Sequence, residues 1–362
     1  MLKKTKLRLG VVAAIAVVGI VFGVTSPALA DPNAGTYKTL NGVGSDTTQD
    51  VVGGLAFGST TIGSYDATGT ATIKTTATGP TFNRPNGSTG GVQALSASAN
   101  NTNVRTYPAS GGVSITGQVD FARSSSSPSS SFVGTDLTFI PFARDVLTYA
   151  VNSASDFPRD IPLGVASQDS ITPAPFTLRN IYRCTVTSFT NSDLEPVTIR
   201  PLVPQTTSGT RSAWLTALGI SAYGACVTDL GNTVQEHNGS FVTGAGDIVP
   251  FSASQFIAQG NYAALPTTVV ERRAQVDLGN IGGIKPVILS GTTVEANASF
   301  PSTRLVYNVV VTARLAETGI AAAFAGTTSE VCAASATIRA YGFATIGALC
   351  GNTTTYKQAF RY

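Results

Sequence analysis

Three times along this chain a loop of glycine and hydroxyl residues runs into a helix signal. The first is Gly42-Val43-Gly44-Ser45-Asp46-Thr47-Thr48-Gln49, with an apolar face following at Val51, Val52 and Leu55. The second is Asn86-Gly87-Ser88-Thr89-Gly90-Gly91, leading into Val92 and Leu95. The third is Gln205-Thr206-Thr207-Ser208-Gly209-Thr210-Arg211, leading into Trp214 and Leu215. Strand-like runs stand between them, among them Leu137 to Phe142, Val146 to Val151, Val287 to Leu289 and Tyr307 to Ala313. Strands alternating with helices imply an α/β architecture with largely parallel or mixed sheets. Asp46 and Gln49 have capping-box spacing, which predicts a helix start near Thr47. Gly219 after Leu218 predicts a left-handed cap on the third helix.

These loops share a chemistry. A helix start leaves backbone N–H groups without partners and carries about half a positive charge. Glycine lets a ligand approach the backbone, and hydroxyls add donors, so such a loop suits phosphate, sulfate or carboxylate without lysine or arginine. Any one of the loops reads equally as an ordinary helix cap; three together point to a convergent oxyanion site. Val119 to Ala122 has the look of a strand end, and strand ends line clefts in α/β sheets. Arg123, which follows it, is either a bidentate anion ligand or a surface arginine at a loop start. Ser124 to Ser131, broken by Pro128, reads as a solvated loop or a mobile linker.

Charge excludes several function classes. Of 362 residues, 43% are hydrophobic and 12% charged, the latter about half the ~25% usual for a globular domain. Charge-driven disorder is therefore excluded. The net charge of +3 owes everything to Lys3, Lys4, Lys6 and Arg8; without those four, 19 basic residues face 20 acidic ones. Attraction to nucleic acid or anionic lipid is not the theme. Residues 1–30 read as a secretory signal, with a basic start, an apolar run from Leu9 to Val24 and Ala28-Leu29-Ala30 as a cleavage pattern; a retained N-terminal anchor is the alternative. Past that segment no stretch is long enough to span a bilayer, so a secreted, extracellular or wall-associated chain is expected. Cys184, Cys226, Cys332 and Cys350 allow three pairings, of which the sequence-local Cys184–Cys226 and Cys332–Cys350 is the expected one.

Enzyme signatures fail. There is no Gly-x-Ser-x-Gly elbow and no Ser-x-x-Lys dyad, and no glycine precedes lysine at P-loop spacing. The single histidine, His237, reads as an exposed turn residue, and a lone histidine with these cysteine spacings argues against a metal site. Trp214 reads as core. No cofactor is implied.

In their order and content, the motifs resemble the phosphate-binding proteins of ABC transporters, within the type 2 periplasmic-binding-protein superfamily, and among them a secreted Gram-positive subgroup. Gly42 to Thr47 stand for that family's Gly-Ala-Gly-Ala-Thr-Phe, Gly87 to Gly91 for its Gly-Ser-Ser-Gly-Gly, Val119 to Ser125 for its Val-Asp-Phe-Gly-Ala-Ser-Asp, and Thr206 to Thr210 for its Asp-Gly-Ser-Gly-Thr. The resemblance implies two α/β lobes with a ligand cleft between them. Residues 31–143 would begin lobe one, 144–257 would form lobe two, and 258–362 would return to lobe one and add a C-terminal extension. Leu137 to Ala150 would carry the first crossing. Ser45, Asp46, Thr47, Ser88, Thr89, Arg123, Ser124, Ser125, Ser208, Gly209 and Thr210 would bind the anion. Ser125 stands where the family has an aspartate that accepts the phosphate proton, Asp46 where it has a neutral threonine, and the family's arginine before Asp-Gly-Ser-Gly-Thr has no counterpart nearer than Arg200.

Two functions follow. The chain is a monomeric extracellular solute-binding protein that captures a small oxyanion, with inorganic phosphate favoured and an ABC transporter permease as a possible partner. Alternatively it is a secreted surface or scaffold protein that kept the fold without the ligand site.

Overall fold

A computed structural model of the chain describes residues 31–33, 35–99, 105–267, 269–290 and 293–362. The expected signal segment 1–30 lies outside the described residues.

The principal sheet joins nine strands: β1 (Leu40–Gly44), β2 (Ile62–Ser64), β3 (Phe121–Ser124), β4 (Leu137–Asn152), β5 (Arg200–Pro201), β6 (Asp247–Ser252), β7 (Val276–Leu278), β8 (Thr303–Val311) and β9 (Lys357–Gln358). Its main path runs β5-β6-β4-β8-β3-β1-β2, with β7 and β9 also paired to β4. The β1–β2, β1–β3 and β5–β6 pairs are parallel and the rest antiparallel, so the sheet is mixed. Five helices matter for the site: α1 (Gln49–Phe57), α2 (Gly87–Ser98), α3 (Leu178–Tyr182), α4 (Gly209–Leu218) and α5 (Ala253–Gly260).

The element that organises the molecule is β4. Sequence reading divides its 16 residues into two runs, Leu137 to Phe142 and Val146 to Val151, and the first of them contains Pro141, which removes a ladder donor. The structure carries one strand through, and the ladder to β8 shifts register between Val306 and Tyr307, opposite Pro141 and Ala143. That irregularity absorbs the missing N–H. β4 is buried almost end to end, as expected of a central strand. Its first part, Leu137 to Val146, pairs with β8, and its last part, Leu147 to Val151, pairs with β6. One strand thus serves two hydrophobic cores.

The first region of core gathers Val51, Ile62, Phe121, Phe142 and Phe324, with a neighbouring cluster around Val92, Leu95, Phe139 and Tyr307. The second gathers Leu147, Tyr149, Ile181, Trp214, Ile248 and Phe300. Trp214 is fully buried edge-on to Tyr182, as the sequence suggests. Ile281, Ala296 and Phe300 also pack in this second cluster, whereas Ala258, Leu265 and Val269 pack with the first, so the chain from 258 to β8 contributes to both cores.

Local signals behave unevenly. α4 ends at Leu218 with Gly219 in the left-handed region, as expected. α1 starts two residues later than expected, after Thr48, with no side-chain cap. Asp46 and Gln49 form no capping box. Gln49 instead accepts the N–H of Ala67, and Asp46 turns to Arg272. Gly44 and Gly91 allow β1 and α2 to touch: a Cβ on Gly91 would stand 2.6 Å from Gly44 Cα. Both disulfides have the expected local pairing, Cys184–Cys226 and Cys332–Cys350. Among the described residues no helix is long and apolar enough to cross a membrane.

Candidate functional site

The three loops meet where β4 passes from one core to the other. Ser45 Oγ donates to Ser125 Oγ at 3.1 Å, and Ser88 Oγ lies 3.2 Å from the same oxygen. The N–H of Ser125 donates to Ser88 Oγ at 2.9 Å. Gly209, opening α4, packs directly on this serine cluster, so that a Cβ there would overlap both Ser88 Oγ and Ser125 Oγ. Ser208 caps α4 by accepting the N–H of Arg211 at 2.9 Å. The N–H of Thr89 donates to Thr207 O at 3.1 Å, and the amides of Asn86, Gln205 and Gln235 close a second contact between the same loops. Seven of the eleven expected ligand residues, Ser45, Thr47, Ser88, Ser125, Ser208, Gly209 and Thr210, therefore lie in one buried cluster, with Thr89 at its edge.

Deeper in, Thr47 and Thr210 face each other at 3.3 Å. Between them sits a residue that sequence reading passed over. Glu236 Oε2 accepts the Thr47 and Thr210 hydroxyls, each at 2.9 Å. Arg304 Nη2 donates to Thr210 Oγ1 at 2.9 Å and to Thr47 Oγ1 at 3.2 Å, while Arg304 Nε donates to Asp145 Oδ2 at 2.9 Å. Asp145 Oδ1 accepts from Ser252 Oγ at 2.5 Å. Burial works against the Glu236 charge, but the hydrogen bond from His237, with help from Ser208 and Arg304, more than offsets it and holds the carboxyl below the usual carboxylate range. The cluster thus keeps a fully buried carboxylate ionised by means of His237, hydroxyls and an arginine.

His237 is not an exposed turn residue. It is buried, with φ of 53°, its ring edge-on to Phe251. The N–H of Ser252 donates to His237 Nδ1 at 3.1 Å, which leaves the ring proton on Nε2, 3.3 Å from Glu236 Oε2 and 2.9 Å from Thr47 Oγ1. Its backbone oxygen accepts from Gln259 of α5 at 3.0 Å, and Gln255 Nε2 donates to Thr47 O at 2.8 Å.

Three expected ligand residues point elsewhere. Arg123 is fully buried but spends its guanidinium on Ser64 Oγ at 2.9 Å and on the carbonyls of Gly42, Gly44 and Ser45, pinning β1, β2 and β3 together. Burial lowers its pKa to about 10. Asp46 is neutralised by Arg272, 3.1 Å from Oδ1, and by the amide of Gln235, so its charge does not face the loop hydroxyls. Ser124 folds back on the Ser126 carbonyl at 2.8 Å. Glu236, Arg304 and Asp145 escaped sequence reading because nothing local marks them: Arg304 lies in an ordinary strand, 159 positions from Asp145.

From the serine cluster a groove of about 820 Å³ runs outward, floored by Arg304 and walled by Ser126 to Ser130 and by α4 residues. Among the described residues no cluster of potential metal ligands exists.

No protein-family model and no curated protein matches this chain. Solved structures do. One, from Clostridium perfringens and described as a phosphate ABC transporter substrate-binding protein with bound phosphate, has a TM-score of 0.51 at 13% identity, covering 85% of this chain and 99% of that one. An ABC-type phosphate transport receptor from Vibrio cholerae has a TM-score of 0.48 at 14% identity, over 85% of this chain and 100% of that one. A phosphate binding protein from Stenotrophomonas maltophilia has a TM-score of 0.48 at 13% identity, over 86% and 92%. At 13% identity, the likeness to the clostridial structure is one of fold: this chain has the mixed-sheet, two-lobed α/β architecture of a phosphate-binding protein.

Proposed function

We propose that the chain is a non-enzymatic extracytoplasmic solute-binding protein that captures a small oxyanion, phosphate before others, by closing two lobes around it. Lobe one would hold residues 31–143 and, from 258 onward, the return segment and C-terminal extension; lobe two would hold 144–257, with the stretch from Ile281 to Phe300 packed against it. The single observation that supports this most is the convergence of the three hydroxyl loops on one buried point, where the Thr47 and Thr210 hydroxyls, with His237 and Arg304, already stabilise an oxyanion of the chain's own, the Glu236 carboxylate. The ligand seat would be the serine side of that point, Ser45, Ser88, Ser125 and Ser208, reached when the lobes part. Arg304 would supply the positive charge that Arg123 does not. Secretion, a monomeric state and delivery to an ABC transporter permease belong to the same reading. Calorimetry on refolded, ligand-free protein tests it. Heat should appear with phosphate and be weaker with sulfate and simple carboxylates; no heat with any of them at millimolar concentration overturns it.

A specific observation favours a second reading, a surface or scaffold protein without a ligand site. Glu236 fills the threonine side, and Gly209 leaves no gap over Ser88 and Ser125. That reading requires that no anion shift the melting temperature.

A further inference from the structure

The groove beside the serine cluster is far larger than a single tetrahedral anion needs. At about 820 Å³ it falls within the range of pockets that enclose whole organic ligands, roughly 300–1,000 Å³. Its chemistry is one-sided. No aspartate or glutamate lines it, whereas Arg211, Arg304 and Arg361 do, together with an almost unbroken run of serines from Ser125 to Ser130. Two buried donors on its wall have no acceptor among the described residues. The Arg304 side chain is 9% exposed, and its Nη1 has no partner. Gln358 is 2% exposed; its Oε1 accepts the N–H of Ser129 at 2.9 Å, and its Nε2 has no partner. A buried donor left without an acceptor destabilises the fold, so the pair calls for an acceptor-rich occupant. Arg361, three residues further along, makes no ion pair among the described residues and lies over the Phe132 ring.

The two orphans are well separated. In the sheet Arg304 pairs with Asp145, and Gln358 with Leu137, on the same strand β4. At ~3.3 Å per residue that is roughly 25 Å of strand. A free phosphate cannot meet both, and neither can a single sugar phosphate.

We propose that the groove binds an elongated anionic carbohydrate, a chain of sugar or polyol units carrying carboxylate or phosphate groups. Its oxyanions meet Arg304 at one end and Gln358 with Arg361 at the other, and its hydroxyls run along the serine loop. Bases would need a series of aromatic platforms; Tyr307 and Phe139 on this wall are buried and Tyr356 alone is partly exposed, which disfavours a nucleic acid. The inference deepens the solute-binding reading and rests on it.

The test is calorimetry on the full mature chain with galacturonate, tetragalacturonate, neutral maltotetraose, inorganic phosphate and a short polyphosphate. Tetragalacturonate should bind at least tenfold tighter than galacturonate, and maltotetraose should not bind. Arg361→Ala and Gln358→Glu, the latter keeping the acceptor for Ser129, should each weaken tetragalacturonate about tenfold and leave inorganic phosphate unchanged. Melting temperatures of both variants show whether they remain folded; if they do and the affinity is unchanged, the assignment of this end of the groove is wrong. Phosphate heat with no gain from monomer to tetramer overturns this inference and leaves the solute-binding reading standing. No heat with any probe overturns both. Polyphosphate binding as tightly as tetragalacturonate overturns the carbohydrate assignment.

Discussion

Glu236 Oε2 accepts the hydroxyl of Thr47 at 2.9 Å across 189 positions of sequence. Thr47 belongs to the first hydroxyl loop and Glu236 to the turn before β6, so this bond ties the two cores together at the point where an exogenous oxyanion is expected. The carboxylate also takes the Thr210 hydroxyl and lies beside His237, in a cluster that includes Arg304.

Removing that carboxylate should be costly. Glu236→Ala leaves Thr47, Thr210 and Arg304 facing an uncompensated space, and breaking a buried charge network by removing one member typically costs about 3–5 kcal/mol. Formate, a carboxylate small enough to enter the vacated volume, should raise the melting temperature of the variant and not of the parent. A melting temperature equal to the parent's would refute the role given to Glu236.

Acid should loosen the same knot. Glu236 has its folded pKa depressed below the ordinary 4.5, so its contribution is full above that value and is lost as the pH falls through the folded pKa. Thermal melts from pH 6 down to pH 2.5 should show a steep loss that Glu236→Gln flattens.

Asp50, in the first turn of α1, behaves in the opposite sense. Burial first, then Asp66, pushes its carboxyl from 3.8 up to about 7, and its Oδ2 has no partner. A raised carboxyl favours folding in acid and penalises it as the pH rises from 3.8 through 7. Asp50→Asn should therefore raise stability at pH 8, by an upper bound of roughly 4 kcal/mol, and change little at pH 4. Equal melting temperatures for the two proteins at pH 8 would contradict the assignment.

Gly209 is a steric gate. Alanine there would place a methyl against Ser88 Oγ and Ser125 Oγ. Overpacking of this kind costs about 1–3 kcal/mol, and the simplest relief is separation of the two loops. Small-angle scattering should report a larger radius of gyration for Gly209→Ala, and the Ser88→Gly, Gly209→Ala double variant should recover part of the loss.

The disulfides should matter unequally. Cys184–Cys226 closes a separation of 42 residues and Cys332–Cys350 one of 18. Chain entropy alone assigns them about 4 and about 3 kcal/mol. Replacing each pair by serine and measuring denaturant midpoints should rank the first above the second.

Much of this molecule is legible in one dimension, and the part that is not has a common cause. Helix starts, the left-handed cap at Gly219, the buried Trp214, the α/β alternation and the local disulfides follow from residues within a few positions of one another, because backbone sterics, capping and loop closure act over short spans. The convergence of Ser45, Ser88 and Ser208 was legible as well, since all three sit in glycine-and-hydroxyl loops that lead into helices. What only the tertiary structure decided is where each charge goes. Arg123 and Asp46 looked like anion contacts and are held inside the fold by Ser64 and Arg272, while Glu236, Arg304 and Asp145, with no local mark, stand at the centre of the buried hydroxyl cluster. A buried charge takes the partner that compensates its desolvation best, and that partner is fixed by the packing of strands far apart in sequence. Position along the chain carries no record of it.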